Sequence, residues 1–319
     1  MDASVSASTR NCLVVCGPTA SGKTALGVRL ALELGGEILS ADSRQVYRGM
    51  DVGTGKDLEE YATPRGRVRV HLIDVASPAQ VYSVFQYQKD FYGVFADVSS
   101  RGRLPVVVGG TGLYIEATLR KFQVPDVPAD ETFRAAQMER SLEDLVEELK
   151  SRSPELSDRT VLECKRRVVR ALEIARHAER FGKPPVNETD LEFRPLVLLV
   201  TWPREKLRER IRARLLRRLE SGLVEEVRQV VALGIPERRY DLFGMEYKHV
   251  ARHIRGEISY PCMIRDLLCD IGYLARRQET YFRGIRKRGL EVHEVPEASL
   301  ELAREIVARF RLVPTAPSG

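Results

Sequence analysis

The sequence predicts an α/β fold of the P-loop NTPase-like kind: a parallel sheet flanked by helices, carrying a helical insertion domain. Three observations predict it. A phosphate-cradling signature, Gly17-Pro18-Thr19-Ala20-Ser21-Gly22-Lys23-Thr24, stands between a short apolar run and a helical pattern. Apolar runs and helical stretches then alternate through residue 120. After Lys121 a charged helical block without a β-run takes over, and an apolar run returns at Leu196. The expected domains are 1–120 with 191–319 as the catalytic core and C-terminal helices, and 121–190 as a helical, basic insertion.

Cys12 to Cys16 reads as a buried parallel strand, and Lys23 to about Leu34 as a helix with Leu26, Leu30 and Leu34 on one face. The signature between them is therefore in its proper strand–loop–helix setting. Gly17 and Gly22 let backbone N–H groups converge on phosphate oxygens, and the helix N-terminus adds positive potential. Lys23 supplies a mobile cation, and Thr24 a hydroxyl that can reach Mg²⁺.

A second strand, Gly36–Ser40, ends just before Asp42. Ligands in open α/β sheets bind beyond the carboxyl ends of strands, so Asp42 either faces the crevice or caps the next turn. Gln45 to Asp57 reads as an ordered loop. A third strand is expected over Val68–Asp74, where Asp74 is either a Walker-B-like acid or a turn residue. Tyr82 to Val98 is an expected helix with Phe85, Phe91, Val94 and Phe95 turned to the core. Leu104–Val108 is the clearest buried strand, and Gly109-Gly110 after it provides either a close approach to a ligand or a simple turn.

Glu131 to Arg180 is helical and charged, closed by Lys183-Pro184-Pro185. Leu196–Val200 is another buried strand. Arg204 to Val231 reads as one long helix whose Leu207, Ile211, Leu215 and Leu219 make the buried stripe. Of its arginines 208, 210, 212, 214, 217 and 218, one or two are expected to point at a phosphate. A further basic helix is expected over Arg265–Arg288, and a frayed polar tail after Arg311.

A net charge of +6 suits a polyanionic partner without requiring one. Five scattered cysteines without a CxxC pair support neither a zinc knuckle nor a disulfide framework, and suit a reducing compartment. Residues 1–10 lack an apolar signal core, and no apolar run approaches the roughly 18 residues of a membrane span. The expected location is the cytoplasm.

These residues resemble the tRNA dimethylallyltransferase family, isopentenyl-group transferases that modify adenosine next to the anticodon. The likeness runs through Gly17–Thr24, Ser40–Thr54 (SADSRQVYRGMDVGT), Val108–Tyr114, Arg167–Glu173, Gly256–Tyr260 and Ala275–Thr280. Departures stand at Val161–Cys164, at Ile271–Tyr273, at Tyr281 in place of a common tryptophan, and at Gly244–Lys248. The resemblance implies transfer of the dimethylallyl group from dimethylallyl diphosphate to N6 of adenosine-37, with Asp42 as general base. Residues 17–24 would hold the leaving diphosphate, aided by Lys23, Thr24 with Mg²⁺, and Arg214. Asp42, Ser43, Arg44, Gln45 and Thr111, with Arg166, Arg167, Val168, Val169 and Arg170, match positions that contact the tRNA. A monomer is expected. The alternatives are an adenylate isopentenyltransferase, a small-molecule P-loop kinase, and an idle tRNA-binding protein.

Overall fold

Residues 9–64 and 66–314 are described by a computed structural model. The chain divides into two compact units, residues 1–122 with 189–319 and residues 123–188. The strands are β1 Thr9–Arg10, β2 Cys12–Cys16, β3 Gly36–Ser40, β4 Ala62–Thr63, β5 Gly66–Arg67, β6 Val70–His71, β7 Leu104–Gly109, β8 Pro195–Thr201, β9 Val292–Pro296 and β10 Arg311–Leu312. The main sheet has the order β6-β3-β7-β2-β8-β9, and all its pairings are parallel. The chain leaves β2 toward β3 and β7 on one side and later fills β8 and β9 on the other. The carboxyl end of β2 is thus the switch point where such sheets bind ligands.

Strand geometry sends alternate side chains to opposite faces. Cys12, Val14 and Cys16 pack with Leu39 and Val107 beneath Tyr87, Phe91 and Phe95. Leu13 and Val15 pack on the other face with Leu26, Leu30, Ala303 and Ile306. Burial pushes the Cys12 and Cys16 thiols up to about 12, so both are inert core residues.

In the larger unit the helices are α1 Lys23–Leu34, α2 Val84–Ser100 and α3 Gly112–Leu119. Ser83 opens α2 through a capping box with Gln86, two residues later than the aromatic pattern begins. The second unit holds α4 Glu131–Met138, α5 Leu142–Arg152, α6 Pro154–Arg159 and α7 Lys165–Phe181. Asp130, Ser141 and Ser153 cap the first three of these helices, which splits the expected block. Phe133, Leu145, Leu149, Val168, Val169 and Leu172 form its own core.

The larger unit continues with α8 Arg204–Glu220, α9 Leu223–Ala232, α10 Tyr240–Phe243, α11 Met245–Ile254, α12 Tyr260–Lys287 and α13 Leu300–Ala308. The single helix expected over Arg204–Val231 is broken, because Gly222 takes a left-handed φ of 95° between α8 and α9. The last long helix starts earlier than expected, where the Ser259 hydroxyl accepts from the Cys262 N–H and Pro261 stands in the first turn. The strand expected over Val68–Asp74 shrinks to β6, since Leu72 and Asp74 adopt φ of 65° and 56°. Nor is the chain frayed directly after Arg311: β10 pairs in parallel with β1. The tail from residue 315, like residues 1–8, lies outside the described residues.

Candidate active site

One cavity of about 820 Å³ lies at the carboxyl ends of the central strands. Thr19 to Thr24, Asp42 to Gln45, Gly109 to Thr111 and one arginine-rich face of α8 line it. Gly22 takes φ 84° and leads into α1, a conformation that disfavours a side chain. Gly17 and Pro18 stand just before the lining; the Lys23 Nζ donates to the Pro18 carbonyl at 3.1 Å. Burial lowers the Lys23 pKa to about 8, with Asp42 pulling it up and Arg214 pushing it down.

Three distant residues fix the phosphate loop. The Thr19 N–H donates to Gln278 Oε1 at 2.8 Å, and Gln278 Nε2 donates to the Gly110 carbonyl at 2.9 Å. Trp202 Nε1 donates to the Ser21 carbonyl at 2.8 Å. The Arg210 guanidinium stacks on that indole at 4.3 Å, while its Nε donates to the Ala20 carbonyl at 2.8 Å.

Asp42 satisfies both expectations for it. Its Oδ1 accepts the Arg44 N–H at 3.0 Å, forming a local turn, and the residue also lines the cavity. The Ser43 N–H donates to Thr111 Oγ1 at 3.0 Å, so the turn is pinned to the Gly109-Gly110 corner. That corner is a close approach rather than a loose turn, because a Cβ on Gly109 would overlap the Ala41 backbone.

The loop from Gln45 to Asp57 forms another wall. Gln45 Nε2 donates to the Gly55 carbonyl at 2.9 Å, and Arg214 donates to the same carbonyl at 3.3 Å and to the Asp57 carboxylate. Burial works against the Asp57 anion, but Arg214 and Arg218 outweigh it and hold its pKa below the usual value. Lys56, whose side chain is 0% exposed, donates to the Tyr47 carbonyl at 2.7 Å and pairs with Asp51 at 2.6 Å and Asp74 at 2.5 Å. Asp74 is therefore a structural partner of Lys56, and it does not line the cavity.

Glu226 closes the back of this loop. It accepts the N–H groups of Asp51, Val52 and Gly53 at 2.8, 2.7 and 2.8 Å, and the Tyr247 hydroxyl at 2.6 Å. Glu226→Ala strands these donors and is expected to destabilise the fold by about 3 kcal/mol. The readout is a lower urea midpoint at unchanged m; an unchanged midpoint removes the anchor.

Of the six α8 arginines singled out above, Arg210, Arg214, Arg217 and Arg218 line the cavity, more than the one or two expected. Their spacing of four, three and one residues puts them on one helical face, a signal that the spacing alone contained. Trp202, Asp57 and Gln278 were also missed; their partners lie far away in sequence. Arg166 to Arg170 stand on α7 of the other unit. Arg166 and Arg167 are exposed, Arg170 pairs with Glu173 and the Val127 carbonyl, and Val168 and Val169 are buried. The two valine side chains therefore belong to the core of this unit and offer no exposed surface for the expected contact.

The fold and this cavity define a P-loop α/β protein with a carboxylate opening onto its phosphate cradle. The family model "IPP transferase" matches residues 45–285. A tRNA dimethylallyltransferase 2 of Syntrophotalea carbinolica is 45% identical over 286 residues, covering 89% of this chain and 94% of that one. A tRNA dimethylallyltransferase 1 of Geotalea uraniireducens is 43% identical, covering 95% and 99%. The crystal structure of a tRNA isopentenylpyrophosphate transferase from Bacillus halodurans superposes with a TM-score of 0.66 at 31% identity, covering 94% and 97%. This chain belongs to the IPP transferase family, and the kinase and adenylate-transferase alternatives are not favoured.

Proposed function

We infer that this chain transfers the dimethylallyl group of dimethylallyl diphosphate to N6 of adenosine-37 in tRNA, releasing diphosphate. The observation that carries the reading is one cavity lined by Lys23, Arg214 and the Asp42 carboxylate together. A carboxylate there also suits a kinase's hydroxyl base, so the choice against a kinase rests on the family match over residues 45–285. The adenine amine has its lone pair delocalised into the ring, so a base must remove a proton as the N6–C1 bond forms. Asp42 takes that proton. The C1–O bond breaks and its electron pair leaves with the diphosphate.

The unpaired N–H groups at the start of α1, with Lys23 and Arg214, stabilise the departing charge. Among the described residues no cluster of three or more His, Cys, Asp or Glu could enclose a metal. The Thr24 hydroxyl, which lines the cavity, suits Mg²⁺ held by one protein oxygen and the substrate's phosphates. Bound there, the ion would neutralise diphosphate charge.

The target base must leave its stack, at a cost of a few kcal/mol. Ser43, Arg44, Gln45 and Thr111 surround Asp42 to receive it, and the insertion of residues 121–190 grips the tRNA through Arg166, Arg167 and Arg170. Arg167→Ala is expected to weaken tRNA binding and lower the salt slope by about 1; an unchanged slope makes the residue structural. All five cysteines are free thiols, and no helix of the described residues is long and apolar enough to cross a membrane. Free thiols suit a reducing compartment, and we propose a cytoplasmic protein acting as a monomer. The test is labelled dimethylallyl diphosphate incubated with tRNA, with AMP and with neither. Label in tRNA alone is expected, and label in AMP or nowhere overturns the reading.

A further inference from the structure

Arg218 is a buried cation with too little around it. Its side chain is 11% exposed, and its ion-pair partner, Glu246, lies at 3.5 Å and is 5% exposed. Glu246 is shared, since its other oxygen meets Arg44 at 3.4 Å. Of the other carboxylates whose charge reaches it, Asp57 is engaged by Arg214 and Asp42 by the Arg44 N–H. Among the described residues Arg218 Nε has no hydrogen-bond partner. Burial, then the neighbouring Arg214, lowers its pKa to about 10, so it remains charged at neutral pH. A buried, underpaired charge is costly unless a ligand completes it.

Its position says which ligand. The Arg218 and Arg214 guanidinium groups both press on Gly55, where a Cβ would collide with each. Both residues line the cavity that contains Lys23 and Thr24. We propose that Arg218, held from behind by Glu246, is a second guanidinium for the diphosphate of the prenyl donor, beside Arg214. The inference rests on the transferase reading above. It also gives the departure at Gly244–Lys248 a purpose, because that stretch supplies Glu246.

The test is calorimetric titration of inorganic pyrophosphate with Mg²⁺ into the full chain. Arg218→Met keeps the length and apolar stem and is expected to raise the dissociation constant about tenfold or more. Arg218→Lys keeps the charge without the planar fork and is expected to raise it by about threefold. Arg218→Lys, which keeps a cation beside Glu246, should not lower the melting temperature, and Arg218→Met is read on pyrophosphate affinity. An Arg218→Met protein with unchanged pyrophosphate affinity overturns the assignment. So does an equal loss in both variants together with a lower melting temperature, which marks a packing role. The labelled-transfer assay tests the parent reading separately: an active wild-type enzyme whose Arg218→Met variant binds pyrophosphate normally leaves that reading standing and removes this one.

Discussion

Asp42→Asn is expected to lower the single-turnover rate of prenyl transfer by about 10²–10⁴-fold while tRNA still binds. Asparagine is the informative replacement. The Asp42 Oδ1 also accepts the Arg44 N–H at 3.0 Å, and an amide oxygen preserves that turn while losing the basic oxygen. Alanine removes both, so its effect mixes chemistry with a displaced loop. Full single-turnover activity in the asparagine variant would take Asp42 out of the mechanism. A loss of tRNA affinity as large as the loss of rate would make it a binding residue instead.

Lys23→Met is the second large effect, an expected fall of about 10²–10³-fold in kcat/KM for the prenyl donor. The pH dependence separates its charge from its bulk. Burial lowers the Lys23 pKa to about 8, so the side chain is cationic below that value and loses its proton above it. Pyrophosphate affinity should hold steady below pH 8 and decline as pH rises past it. A bound polyanion favours the charged form and raises the pKa in the complex, so the decline begins at the free protein's value and levels off at the higher one. The methionine variant should lack this alkaline limb. A wild-type affinity flat to pH 9.5 would show that the lysine charge is not used.

Much of the cradle was legible because it is local. Gly17 to Thr24 is one contiguous stretch between a strand and a helix, and the loop geometry follows from its glycines. The buried strands were legible because a parallel sheet covered on both faces leaves unbroken apolar runs. Edge pieces were not. β9 buries only Val292 and Val295 and leaves the residues between and after them half-buried or exposed, and β1 and β10 are two residues each, held by a pairing across the whole chain. The break at Gly222 was visible as a glycine, but the leucine stripe on either side outweighed it.

The supports of the site were the least legible. Glu226 meets the Asp51–Gly53 amides, Gln278 meets Thr19 and Gly110, and Glu246 meets Arg44 and Arg218. Each is a polar residue on an amphipathic helix, where a solvated position is the ordinary reading. Nothing in local spacing distinguishes a carboxylate that holds a loop more than 170 residues away. The valines at 168 and 169 erred the other way: a block that resembles a contact motif exposes Arg166 and Arg167 and buries its apolar pair in the core.

Trp202 is the sole tryptophan of the sequence, and its indole N–H is bonded to the Ser21 carbonyl inside the phosphate loop. The protein therefore carries an intrinsic fluorophore wired to the cradle it must fill. Ultraviolet emission alone should register donor arrival and product departure in real time, without a dye or an engineered label.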